Sequence, residues 1–233
     1  MALMDRFVFI HINKCAGTSF LNMIRREFKG RVAHDNAYKK DMILETYITT
    51  SRSENYYPKC FDKNNNFNLV EGHHVRFVIG HFSIHKYKHL GWPIITFVRE
   101  PIARLLSAYG LWMTKGKWTV YDREPVGHFS RTLGLFAWLN QNKMTTLTGR
   151  DLSKLQFIGL VERFKESMSI LQKMLGVEFA EETLKIRHNV TPHKRKLEFT
   201  EEQVDFLKKV NYLDMALYKK ASEIFDKQVE KYL

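Results

Sequence analysis

Apolar positions in this chain fall into short blocks separated by polar, glycine-containing breaks. Phe7-Val8-Phe9-Ile10-His11-Ile12 is a compact apolar run, rich in β-branched and aromatic residues, and predicts a buried strand. Asn13 to Ser19 interrupts it with a glycine and two hydroxyls. Phe20, Leu21, Ile24 and Phe28 then recur at helical spacing, with Arg25 and Arg26 on the outer face. The order is strand, tight loop, helix. Arg76–Gly80 and Pro93–Val98 predict two more short strands, and Pro101 suits the first turn of a helix carried by Ile102, Leu105, Leu106, Tyr109 and Trp112. A helix is expected over 126–142, a strand over Phe157–Val161, and a helix through Phe164, Met168, Leu171 and Leu175 that stops at Gly176. Thr200 with Gln203 reads as a capping box, and a last amphipathic helix runs from about Leu213 to Tyr232. From 34 to 70 the periodicity weakens. A helix over Tyr38–Thr50 and an exposed excursion over Asn55–Asn68 are the expectations there. Strands alternating with helices predict an α/β fold with a mainly parallel sheet.

Composition narrows the picture. The chain has 233 residues, 44% of them hydrophobic and 13% aromatic, which suits one domain with a sizeable core and excludes a disordered chain. Two cysteines, Cys15 and Cys60, exclude a disulfide framework and a four-cysteine zinc site. Lys and Arg number 37 against 25 Asp and Glu, so the net charge of +12 directs attention to anionic partners. No stretch approaches the roughly 20 apolar residues that a membrane span needs. Met1 to Arg6 lacks the form of a signal peptide, so a cytoplasmic location is expected.

Two constellations carry candidate chemistry. A loop of small residues entering a helix presents free backbone N–H groups, and the helix dipole adds about half a positive charge. Lys14 supplies a point charge there, and Thr18 and Ser19 supply hydroxyls. These parts suit a diphosphate or phosphosulfate. The nucleoside-triphosphatase pattern Gly-x4-Gly-Lys-Ser/Thr and the dinucleotide pattern Gly-x-Gly-x-x-Gly are both absent. A plain capped helix is the competing reading. The second constellation is Arg99-Glu100-Pro101-Ile102-Ala103-Arg104-Leu105-Leu106-Ser107-Ala108-Tyr109. Arg99 stands just past a strand's carboxyl end, where open α/β sheets bind ligands, and Ser107 follows two helical turns later. A guanidinium fork and a hydroxyl form a monophosphate clamp. Pairing of Arg99 with Glu100 is the competing reading.

Together, His11-Ile12-Asn13-Lys14-Cys15-Ala16-Gly17-Thr18-Ser19 and Arg99-x-Pro101-x-x-Arg104-x-x-Ser107-x-Tyr109 resemble the carbohydrate sulfotransferases. The resemblance is to the branch holding heparan sulfate 2-O-sulfotransferases and many bacterial relatives. It extends through Gly80-His81, Ile158 to Phe164, and Asn189-Val190-Thr191-Pro192-His193; Asn13 and Cys15 depart from the family's usual residues beside the lysine. The resemblance implies a single P-loop-like α/β domain over 1–233, with a central, mainly parallel sheet flanked by helices. It implies 3′-phosphoadenosine 5′-phosphosulfate (PAPS) as sulfuryl donor and adenosine 3′,5′-bisphosphate as product. Lys14, Cys15, Ala16, Gly17, Thr18 and Ser19 would bind the 5′-phosphosulfate, and Arg99 and Ser107 the 3′-phosphate. The stretch 189–233 would supply a nucleotide-covering loop, with Thr191, Lys194 and Arg195, and the C-terminal helices. His81 would be the general base and Lys14 would stabilise the leaving phosphate. The acceptor would be a hydroxyl of a glycan or other small molecule, with no metal and no nucleic acid involved.

Other readings stay open on the residues alone. His81, His85 and His89 are spaced by four, as metal ligands on one helix would be, but no carboxylate accompanies them. His193-Lys194-Arg195-Lys196 is also the pattern of a solvated face. Trp118 and Tyr121, near Lys115 and Lys117, suit either core or a sugar-binding rim. A P-loop-like kinase and a basic polyanion-binding module are the alternatives from other classes.

Overall fold

The computed structural model describes residues 3–29, 31–35, 74–114, 131–180 and 199–233. Five short strands form its centre: β1 (Phe7–Ile10), β2 (Val32–Asp35), β3 (Phe77–Gly80), β4 (Ile94–Val98) and β5 (Phe157–Leu160). Every residue in them is buried, because helices or loops cover both faces of the sheet. The strand order is β2-β3-β1-β4-β5 and all four pairings are parallel. The chain leaves β1 toward β2 and β3 on one side, then resumes at β4 and β5 on the other. The order therefore reverses at β1 and β4, and their carboxyl ends flank the switch point of the sheet.

Around this sheet lie α1 (Gly17–Glu27), α2 (Pro101–Thr114), α3 (Arg131–Leu139), α4 (Lys143–Thr148), α5 (Phe164–Leu175), α6 (Glu201–Val210) and α7 (Tyr212–Tyr232). Phe7, Phe9, Phe20, Phe77 and Phe97 pack in the main core, with Phe7–Phe77 centroids 4.4 Å apart and Phe9–Phe20 4.6 Å apart. Burying each such ring contributes about 1.5–3 kcal/mol. A second, smaller core joins Leu105 and Tyr109 of α2 to Leu133, Phe136 and Ala137 of α3 and Leu207 of α6.

The strands and helices expected from the sequence are present, with small shifts of boundary. Gly176, at φ 66°, ends α5 as expected, and Thr200 and Gln203 form both halves of the capping box on α6. Of the helix expected over 126–142, residues 126–130 lie outside the described residues, and the described part ends at Leu139, three residues early. Asn142 takes a left-handed φ of 50° between α3 and α4. Its side-chain oxygen accepts from the N–H groups of Leu213 (3.0 Å) and Asp214 (3.2 Å), while Asp214 accepts from Met144 N (3.1 Å) and Thr145 N (2.8 Å). The starts of α4 and α7 cap one another, and that tertiary exchange fixes where α4 begins. The helix expected over Tyr38–Thr50 and the excursion over Asn55–Asn68 lie outside the described residues.

Candidate active site

The loop after β1 turns sharply because Lys14 (φ 69°) and Ala16 (φ 57°) both adopt left-handed backbone. Each such turn costs a non-glycine residue energy that the surrounding packing must offset, and such strain gathers at ligand sites. The turn delivers Gly17 as first residue of α1. A Cβ at Gly17 would stand 1.9 Å from Cδ2 of His11, so only glycine allows this approach. Ala16, at the N-cap, provides no side-chain hydrogen bond, and the first turn of α1 holds no acidic residue. Its leading N–H groups are thus kept from a side-chain cap, unlike those of α6. That arrangement fits an anion of the phosphosulfate kind. Thr18 is exposed and Ser19 half-buried beside it. Cys15 is buried, and burial pushes its thiol up to about 12, against the pull of Arg104 and Arg99. It therefore stays neutral and adds no negative charge to the loop.

Arg99 leaves the end of β4, and its Nη1 donates to the Lys14 carbonyl at 3.4 Å. The two predicted phosphate-binding segments thus meet across the β1/β4 switch point. Glu100 does not pair with Arg99 in the manner the competing reading required. Its carboxylate accepts from Ile102 N (3.1 Å) and Ala103 N (2.6 Å), capping α2, while Glu162 Oε1 accepts from Glu100 N at 3.0 Å. Tyr218 of α7 donates to the other oxygen of Glu162 at 2.9 Å. Ser107 is half-buried two turns into α2. Arg104 is fully buried, and its Nη2 donates to the Asn140 carbonyl at 3.0 Å.

His81 follows β3. Its Nδ1–H donates to the His11 carbonyl at 2.5 Å, a bond that fixes the tautomer and leaves the lone pair on Nε2. Burial lowers its pKa, opposed by that backbone bond and by the nearby Asp35 carboxylate. Burial thus favours the neutral ring. Beside it, burial drives His11 well below the usual imidazole range, helped by His81 and His34, and brings His34 down to about 3. Asp35, fully buried at the end of β2, accepts from Lys86 Nζ and Tyr87 Oη, both at 2.6 Å. Sequence reasoning missed this group. Its signal, a charged residue ending a short buried strand, lay at the start of the stretch of weak periodicity.

His85 goes elsewhere. It lines a cavity of about 350 Å³ that also borders Trp92, Pro93 and Ile94 at the start of β4, away from the carboxyl edge. His89 sits in a separate 3₁₀ turn, Lys88–Leu90, so the three histidines share no helix. Among the described residues no group of three or more His, Cys, Asp or Glu is placed to hold a metal ion. Nor is any described helix long and apolar enough to cross a membrane. Thr191, Lys194, Arg195, Trp118 and Tyr121 lie outside the described residues.

The sequence model of the sulfotransferase family (Sulfotransfer_2) matches residues 1–125 of this chain. No curated protein matches it. Among solved structures, mouse sulfotransferase SULT7A1 complexed with PAP is similar, with 11% identity and a TM-score of 0.49 over 99% of this chain and 90% of that one.

Proposed function

The chain belongs to the sulfotransferase family, and on that premise we propose how its sheet edge carries out the reaction. The activity is sulfuryl transfer from PAPS to an acceptor hydroxyl. The observation that carries the residue assignment is the meeting of the Lys14 loop with Arg99 at the switch point, beside the open start of α1. When bound, PAPS supplies the sulfuryl group and leaves as adenosine 3′,5′-bisphosphate.

The N–H groups that open α1, with Thr18 and Ser19, bind the 5′-phosphosulfate, and Lys14 neutralises charge that grows on the bridging oxygen. Arg99 and Ser107 hold the 3′-phosphate, joined by Thr191, Lys194 and Arg195 from the covering loop. His81 Nε2 takes the acceptor's hydroxyl proton as the new O–S bond forms and the S–O bond to the 5′-phosphate breaks. Catalysis is mostly positioning and charge stabilisation, as in phosphoryl transfer. The acceptor on this reading is a carbohydrate hydroxyl, as in the heparan sulfate 2-O-sulfotransferase branch. The net charge of +12 supports an acidic glycan.

Calorimetry with adenosine 3′,5′-bisphosphate and adenosine 5′-phosphate tests the nucleotide assignment. Hydrogen bonds to a charged group contribute roughly 1.5–3 kcal/mol, so the bisphosphate should bind at least about tenfold more tightly in wild type. Arg99→Ala should erase most of that preference. Equal affinities for the two nucleotides in wild type would overturn the 3′-phosphate assignment. Transfer of labelled sulfate from PAPS to a panel of desulfated glycans identifies the acceptor.

A further inference from the structure

The sheet register places two imidazoles side by side. Ile10 of β1 pairs with Gly80 of β3, and the His11 N–H donates to the Gly80 carbonyl at 2.8 Å. Adjacent strands lie about 4.8 Å apart, so the residues that follow this pair emerge as neighbours. The rings of His11 and His81 stack with centroids 4.1 Å apart and planes 27° apart. The same His11 ring lies so close to Gly17 that a Cβ there would reach 1.9 Å from Cδ2 and 2.2 Å from Nε2. One buried side chain thus touches both the first residue of the anion-binding helix and the ring of the base. His11 Nδ1 is itself buried and without a hydrogen-bond partner among the described residues. What the ring contributes here is its flat surface.

We propose that His11 is a positioning residue for sulfuryl transfer: its ring sets the spacing between the start of α1 and His81 and keeps water off the face of His81 that it covers. The inference rests on His81 being the base. Among the groups that act on the His81 ring are His11 at the end of β1 and Asp35 at the end of β2. His34 feels His81 and Arg25, while Lys86 and Tyr87 are engaged by Asp35. Burial is the first cause of the depressed His81 pKa. Removing the covering ring therefore lets water in and raises that pKa toward the usual value. The residue 11 carbonyl persists in any substitution, so the bond from Nδ1–H is still available.

The test is a ¹⁵N-imidazole NMR titration of His81 in the full chain, comparing wild type with His11→Ala, His11→Val and His11→Phe. In the Ala and Val variants the His81 protonation constant should rise at least about threefold, while His11→Phe, which keeps a flat ring, should titrate like wild type. Turnover should fall at least about tenfold in the truncations with adenosine 3′,5′-bisphosphate affinity within about threefold, and the acid limb of the rate profile should move to higher pH. If His11→Ala does not fold, His11→Val carries the comparison, since valine suits extended backbone. A folded Val variant with wild-type His81 titration and turnover overturns the inference. The titration needs neither acceptor nor turnover, so the two assignments separate. An active His81→Ala refutes the base, whereas an inactive His81→Ala with an unshifted His11→Val refutes the role of His11.

Discussion

Gly17→Ala is the smallest change that loads the site mechanically. The added Cβ would begin 1.9 Å from Cδ2 of His11, while ordinary contact begins at 3.4 Å, so something must yield by 3.4 − 1.9 = 1.5 Å. The ring has little room, because it is buried and stacked on His81 at 4.1 Å. Either α1 retreats and carries its leading N–H groups off the phosphosulfate, or the His11 ring pushes His81 out of line. Overpacking of this kind costs about 1–3 kcal/mol, offset by up to about 1 kcal/mol from alanine's better helix propensity. The net loss of about 1 kcal/mol should lower Tm by roughly 2–4 °C in a chain of this size. Turnover should suffer far more, since a misplacement of about 1 Å costs on the order of 10²-fold. Sulfate transfer from labelled PAPS, followed alongside thermal melts, reads both quantities. Wild-type kcat/KM with an unchanged Tm would refute the close approach of Gly17 to His11.

On the proposed reading, in which the half-buried Lys14 serves the leaving phosphate from a loop, Lys14→Ala should lower kcat by about 10²–10³ with little change in Tm. A single-turnover assay with PAPS checks this. His81→Ala should lose about 10²–10⁴ in turnover yet bind adenosine 3′,5′-bisphosphate normally, whereas His85→Ala, altered in the cavity beside Trp92, should cost less; parallel rate and calorimetric measurements decide. Stability should also fall with acid. Buried His34 titrates at about 3 when folded, against the ordinary imidazole value of 6.5 that it regains on unfolding, so between those pH values the unfolded chain binds a proton that the folded chain does not. Urea unfolding at pH 7.5 and pH 5 should show lower stability at pH 5, and His34→Phe should reduce that loss.

The parts of the site that depend on local pattern were readable from the residues alone. An apolar block followed by Asn13 to Ser19 gave strand, turn and helix, and Thr200 with Gln203 marked a helix start. Both signals involve neighbours within a few residues. What escaped reading depends on groups brought together from afar. Asn142 and Asp214 start α4 and α7 by trading caps over some seventy residues, an exchange that no local pattern announces. Val32–Asp35 is an edge strand of only four residues, and its closing aspartate acquires meaning only when Lys86 and Tyr87 arrive. The stacking of His11 on His81 follows from strand register, which no single segment encodes. The fate of Glu100 was likewise undecided by sequence, since a carboxylate next to Arg99 and ahead of a proline suits an ion pair as well as a cap.

The second hydrophobic cluster has a consequence for how the molecule comes apart. Leu105 and Tyr109, on either side of Ser107 along α2, pack against α3 and α6, whereas the Lys14 loop stands on the sheet. The 5′ end of the nucleotide would therefore rest on the sheet, while its 3′-phosphate, held by Arg99 at the end of β4 and by Ser107, would bridge the sheet and the smaller cluster. A ligand that spans them acts as a fastener between units, so its free energy appears as slower opening of the smaller one. Amide exchange in α2, α3 and α6 should accordingly be the most nucleotide-sensitive in the chain, while the strands exchange slowly with or without it.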